Sequence, residues 1–135
     1  VSIFEPVIDA EWDALILGLY HRSMDERRVA GHLSGSSQTG RRLFHWLAEA
    51  GYEILSAGPS DWIIYPSAHA YPADEAYFLH HILHFIEQTL SGHPQLNSGK
   101  LSEWIQTRRG QIDGGKLVFI AHQVDFLAKA PQHGD

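Results

Sequence analysis

The segment from Asp74 to Leu90 limits the fold more than any other stretch of the chain. Phe78, Leu79, Ile82, Leu83, Phe85, Ile86 and Leu90 recur at helical spacing and cover more than half the circumference of a helix. A helix apolar on so many sides must be largely buried, so the rest of the chain has to supply layers around it. Asp74 and Glu75 load its first turn, and Gly92 and Pro94 end it. The material for those layers is present: 44% of the 135 residues are hydrophobic and 19% are charged, which suits one folded domain.

The remaining pattern mixes strands and helices. Val1–Phe4 reads as the end of a strand that Pro6 stops. Asp9 is a good N-cap for a helix running to about Met24, with Trp12, Leu15, Ile16, Leu19 and Tyr20 at helical spacing and Glu11 and Asp13 in the first turn. Residues 25–40 are polar and glycine-rich and read as a loop. A second helix begins near Thr39 and stops at Gly51, a natural residue for the left-handed position after a helix. Tyr52–Ser56 and Asp61–Tyr65 are short strands around Gly58-Pro59, forming a hairpin or one bent strand. A fourth helix spans about Ser98 to Ile112, with Leu101, Trp104, Ile105 and Ile112 inward and Arg108 and Arg109 pointing away. Lys116–Ala121 reads as a buried strand prolonged through Phe126. This is an α/β order that begins in mid-unit.

Charge and composition remove several functions. The formal charge is -6 with both signs interspersed, so no basic stripe exists to neutralise phosphates and nucleic acid is not expected as a partner. There is no cysteine, which excludes disulfides and thiolate–metal sites. No apolar run approaches the roughly 20 residues of a membrane span, so no membrane partner is expected. Val-Ser-Ile-Phe-Glu-Pro has no basic or apolar leader pattern and no initiator Met, which suggests a processed chain or an excised fragment; the cytoplasm is the expected location.

Three motifs are weighed against plainer roles. Gly35-Ser-Ser-Gln-Thr-Gly40 has the glycine spacing of a P-loop, but Arg41 and Arg42 stand where Lys and Ser or Thr belong, and no buried strand precedes it. The plain role is a loop capping a helix with Ser37 or Thr39. A weaker functional role survives, in which the helix N-terminus with Arg41 and Arg42 receives an anionic group. His80 and His84 are four apart on one helix face, as metal ligands can be, yet they lie on the polar side with Glu87 and Gln88, and a solvated face is the plain reading. Tyr20-His21-Arg22 ends the first helix and His32 follows in the loop; the four could line a pocket, or simply complement a helix end.

Several segments together resemble the last part of a class I S-adenosylmethionine-dependent methyltransferase. They are Val1-Ser-Ile-Phe-Glu-Pro6, Leu19-Tyr-His-Arg-Ser-Met-Asp-Glu-Arg27, Gly40-Arg-Arg-Leu-Phe-His-Trp-Leu-Ala-Glu-Ala-Gly-Tyr52, Asp61-Trp-Ile-Ile-Tyr-Pro66 and Leu117-Val-Phe-Ile-Ala-His-Gln-Val-Asp-Phe126. The resemblance implies a partial Rossmann-like fold. The first strand would be the end of the family's fifth, the helix ending in Ala-Gly-Tyr52 would precede its sixth, and the last would be its seventh, inserted antiparallel beside the sixth. The third and fourth helices would be an insertion. It further implies a small-molecule methyl acceptor, with Tyr20, His21, Arg22 and His32 as pocket residues.

The family's cofactor fingerprint, a Gly-rich turn after the first strand and an acidic residue ending the second, is missing from this sequence. S-adenosylmethionine is therefore expected in the complete enzyme and not on this chain alone, which would be the inactive acceptor-side segment. The alternative is a small non-enzymatic binding or interaction domain, with a histidine metal site as a further variant. A sheet lacking its neighbouring fourth strand exposes unpaired backbone, so a homodimer is expected.

Overall fold

A computed structural model describes residues 2–131. In chain order the elements are β1 (Ser2–Glu5), α1 (Ala10–Asp25), β2 (Arg28–Val29), β3 (His32–Leu33), α2 (Thr39–Glu49), β4 (Glu53–Pro59), β5 (Trp62–Ile64), α3 (Glu75–Leu90), α4 (Ser98–Asp113), β6 (Val118–Ala121) and β7 (Val124–Lys129). The fold is mixed α/β, with four helices and antiparallel sheets among the described residues.

The apolar helix forms as α3, and its deepest residues are Leu79, Leu83, Ile86 and Leu90. They follow one another by three or four and make a single stripe. Against it pack Ile16 and Leu19 of α1 and Leu101, Trp104, Ile105 and Ile112 of α4. Burying each such aliphatic side chain contributes about 1.5–3 kcal/mol, which is what assembles the helices into one layer. Phe85 does not join them: it is 47% exposed, because it lies on the side of α3 that no other element covers. The expected stripe was therefore wider than the one used.

The central sheet has the order β1-β6-β5. Both β1 and β5 are antiparallel to β6, hence parallel to one another. Phe4, Phe119 and Ile64 stand side by side across the three strands and turn one face into the core. On the opposite face, the neighbouring row is Ile3, Ile120 and Ile63, and Ile63 is half exposed.

The two strand segments around Gly58-Pro59 do not form a hairpin with each other. β4 pairs with β7 and β5 pairs with β6, and the register runs on unbroken through the corner, from Ile64↔Phe119 and Trp62↔Ala121 to Pro59↔Val124 and Gly58↔Asp125. Residues 53–64 and 118–129 are therefore one long two-stranded ribbon bent near Ser60-Asp61 and His122-Gln123. Asp61 holds the bend: its carboxylate accepts the Gln123 N–H at 3.0 Å and meets His122 Nδ1 at 3.0 Å.

Helix ends follow the sequence closely. Asp9 accepts the Trp12 N–H at 2.9 Å, and Asn97 accepts the Lys100 N–H at 3.1 Å. Gly51 takes φ +79 just past α2, as its place in the sequence predicts. Gly115 is required for another reason: at φ +58, a Cβ there would collide with the His69 carbonyl group.

Three further expectations change. The stretch 25–40 is not all loop, because Ala30 and Gly31, both at positive φ, turn β2 back on β3. The start of α2 is not capped by Ser37 or Thr39; the preceding residue is Gln38, with no side-chain cap. Trp46 and Trp62, whose places on an apolar helix stripe and in a strand suggest core packing, are 46% and 42% exposed, since α2 buries no residue fully and Trp62 sits at the start of its strand against Phe78.

Candidate functional site

The predicted anion-binding residues gather around the loop that leads into α2. Asp25, the last residue of α1, accepts the Ser37 backbone N–H and the Ser37 hydroxyl, the latter at 3.1 Å. Ser36 Oγ accepts the Gln38 N–H at 3.1 Å, and the Thr39 hydroxyl donates to the Ser36 carbonyl at 2.9 Å. The loop is thus fastened at its middle to α1. The backbone hydrogen bond from Ser37 holds the Asp25 carboxyl below the ordinary carboxylate range.

Two clefts flank that loop. One, of about 520 Å³, has Gln38, Gly40 and Arg41 on one wall and His122, Gln123 and Asp125 on the other. The second, of about 440 Å³, holds Asp25, Gly35, Arg42 and Trp46. Arg41 and Arg42 therefore line different clefts, and each shares its cleft with a carboxylate. The two arginines do not converge on one anion position.

The four residues expected to line a pocket are spread along α1 and the hairpin. Tyr20 is half buried against the core, and that burial raises its phenol pKa. His21 Nε2 accepts the Ser2 N–H at 3.2 Å, which requires the neutral tautomer carrying its proton on Nδ1. Burial lowers the His21 pKa in the same direction. The Tyr20 and His21 ring centres are 6.2 Å apart, whereas Arg22 is exposed and His32 is exposed on β3. None of the four lines either cleft beside α2.

His80 and His84 also separate. His80 is partly buried and meets Asp113 of α4 at 3.0 Å, while His84 is exposed and lies alongside His81. Among the described residues no three His, Asp or Glu side chains are grouped as metal ligands.

The most constrained polar cluster is one that the sequence reading placed wrongly. Arg108, expected to point into water, is fully buried. It stands three residues after Ile105 and four before Ile112, on the buried face itself. Its Nη2 donates to Asp13 Oδ2 at 2.9 Å, and its Nη1 donates to the Pro6 carbonyl at 2.6 Å and to Gln111 Oε1 at 3.0 Å. Asp13 also accepts the Ile8 N–H at 3.0 Å and the Trp104 indole N–H. The guanidinium lies beside the edge-to-face pair of Phe4 and Trp104, 5.6 and 5.1 Å from their ring centres, which are themselves 6.0 Å apart. This network pins the turn after β1 to α4 and α1. The spacing 101, 104, 105, 108, 112 was the signal that could have placed Arg108 inward.

Compared with known proteins, the chain matches no family model, no curated protein and no solved structure.

Proposed function

We propose that the chain is the acceptor-side segment of a class I S-adenosylmethionine-dependent methyltransferase. The observation that carries this reading is the strand order β1-β6-β5, with β6 antiparallel between two strands that run parallel to each other. It agrees with a fifth, seventh and sixth strand, and the antiparallel pairing is the feature the resemblance predicts for the last one. Among the described residues β1 pairs on one side only, which leaves an edge where a fourth strand would add. The Ile3–Ile120–Ile63 row gives the sheet a second apolar face, as a sheet covered on both sides has.

The cofactor is not assigned to this chain, because the strand-to-helix turn after β1 does not have the character of a cofactor turn. The turn from β1 into α1, residues 6–9, has no glycine, its helix end is capped by Asp9, and Arg108 occupies the Pro6 carbonyl. No step of methyl transfer is routed through these residues, and the chain's part is to hold the acceptor. Tyr20, His21, Arg22 and His32 remain the proposed acceptor residues, and a second copy of the chain is the proposed occupant of the β1 edge when no fourth strand is supplied.

Calorimetric titration with S-adenosylmethionine tests the proposal on this chain and on the product of the complete reading frame. The expected outcome is no micromolar binding to the chain alone and micromolar binding to the complete product. A complete product that neither binds the cofactor nor contains a Gly-rich strand–turn–helix overturns the reading in favour of a non-enzymatic interaction domain.

A further inference from the structure

We infer that the cleft between the start of α1 and the outer face of α4 is a binding site for a small organic ammonium ion. The cleft measures about 300 Å³, and its walls are Ile8, Glu11, Trp12, Lys100, Glu103 and Trp104. Trp12 and Ile8 therefore supply the apolar contact surface, while Trp104, 2% exposed, shows the cleft little more than an edge. A cation is already drawn to that surface, since the Lys100 ammonium of this chain sits 5.5 Å from the centre of the Trp12 ring. That distance lies within the range over which the negative face of an indole attracts positive charge.

The charges around the cleft favour the same ligand class. Glu11, Glu103 and the capping Asp9 surround it, against the single Lys100. Glu11 and Glu103 are exposed and have no ion-pair partner among the described residues. Two helices begin here, and helix N-termini ordinarily attract anions. These two are capped from within the chain by Asp9 and Asn97, which already take backbone donors of the first turns. What faces the cleft is then carboxylate and aromatic surface.

A quaternary or primary alkylammonium of four to seven heavy atoms satisfies both features. Its alkyl groups lie on Trp12 and Ile8, and its charge is shared by Glu11 and Glu103. In the free protein Lys100 holds the position over Trp12, so it competes with the ligand rather than assisting it. The inference stands apart from the methyl-transfer reading, because it uses only the walls of this cleft.

The test is a nitrogen–proton NMR titration of the chain with choline at fixed ionic strength. The four tryptophans give separate indole signals, identified by Trp→Phe variants. The neutral isostere 3,3-dimethylbutan-1-ol is titrated in parallel. Expected are saturable shifts confined to the Trp12 and Trp104 indoles, with the neutral isostere weaker by about fivefold or more. Lys100→Ala is expected to tighten choline binding by freeing the indole face, and Glu103→Gln to weaken it. Both positions are exposed, so neither variant threatens folding. Equal affinity for choline and its isostere overturns the inference, as do shifts at the Trp46 or Trp62 indoles instead, or a Lys100→Ala variant that binds less tightly.

Discussion

Asp13→Asn removes the carboxylate charge that faces Arg108 while preserving size and most hydrogen bonds. Arg108 is fully buried and its partner is nearly so, which makes this a change in the interior. After the substitution the guanidinium keeps the Pro6 carbonyl, Gln111 and the two neighbouring rings, but among the described residues Glu5 is the only other carboxylate acting on it, and more weakly. A buried charge left uncompensated in this way costs about 3–5 kcal/mol. Over 135 residues that corresponds to a fall in Tm of about 10–18 °C. Arg108→Met is expected to cost less, about 1–3 kcal/mol, because Asp13 retains the Ile8 and Trp104 N–H donors and its side chain is 10% exposed. The double variant should lose less than the sum of the two single losses, by about 2 kcal/mol, since no charge is then stranded. Urea unfolding followed by circular dichroism and by tryptophan fluorescence measures all four proteins. An Asp13→Asn variant within about 0.5 kcal/mol of the parent would refute the reasoning, and strict additivity of the pair would do the same.

Four further outcomes follow from the same geometry. The His21 pKa is lowered, so its contribution is complete above the ordinary histidine value of about 6.5 and is lost as pH falls through the lower folded value; protection of the β1 amides from exchange should fall only below that ordinary value, and His21→Gln should remove that dependence. The depressed Asp25 pKa works likewise at lower pH: exchange of the Ser37 amide should stay slow below the ordinary carboxylate value of about 3.9 and rise only as Asp25 itself protonates, whereas Asp25→Asn should raise it at pH 7. Ile86→Ala should cost about 2–5 kcal/mol in urea unfolding, while Phe85→Ser, on the exposed side of the same helix, should stay within about 1 kcal/mol. Sedimentation equilibrium at micromolar concentration should show self-association through the open β1 edge, and a clean 15.2 kDa monomer would contradict it.

The parts of the fold legible in the sequence are those whose signal is local. The bounds of α3 follow from an apolar repeat with a breaker at Gly92, and the start of α1 from Asp9. The short hairpin at Ala30-Gly31 was missed because alanine rarely adopts positive φ, so nothing in Val-Ala-Gly-His marks a turn of that kind. Arg108 was misplaced because its charge was given more weight than its spacing. Only the partner from α1, Asp13, ninety-five residues away, makes the inward position affordable, and a pairing that distant leaves no mark on either local pattern. The clefts were illegible for the same reason: each is walled by two segments far apart in the chain.

The bent ribbon gives the molecule two unequal parts. On one side of Asp61 the ribbon carries β5 and β6, and their inner residues Ile64 and Phe119 are sealed beneath three helices. On the other side it carries β4 and β7, covered by α2 alone, and α2 has no fully buried residue. Leu55 and Leu127 stay exposed there, and so do Phe44 and Trp46 of the covering helix. Since stability follows buried apolar area, the α2 arm is held mainly by the backbone ladder it inherits from the ribbon. The bend is where the two parts join, and Asp61 fixes it from one strand by binding both residues of the opposing corner. The cleft of Arg41 lies between that corner and the start of α2, so any displacement of the weaker arm alters its shape first. The arm with the least burial of its own is also the one bearing apolar side chains that a second layer of protein would cover.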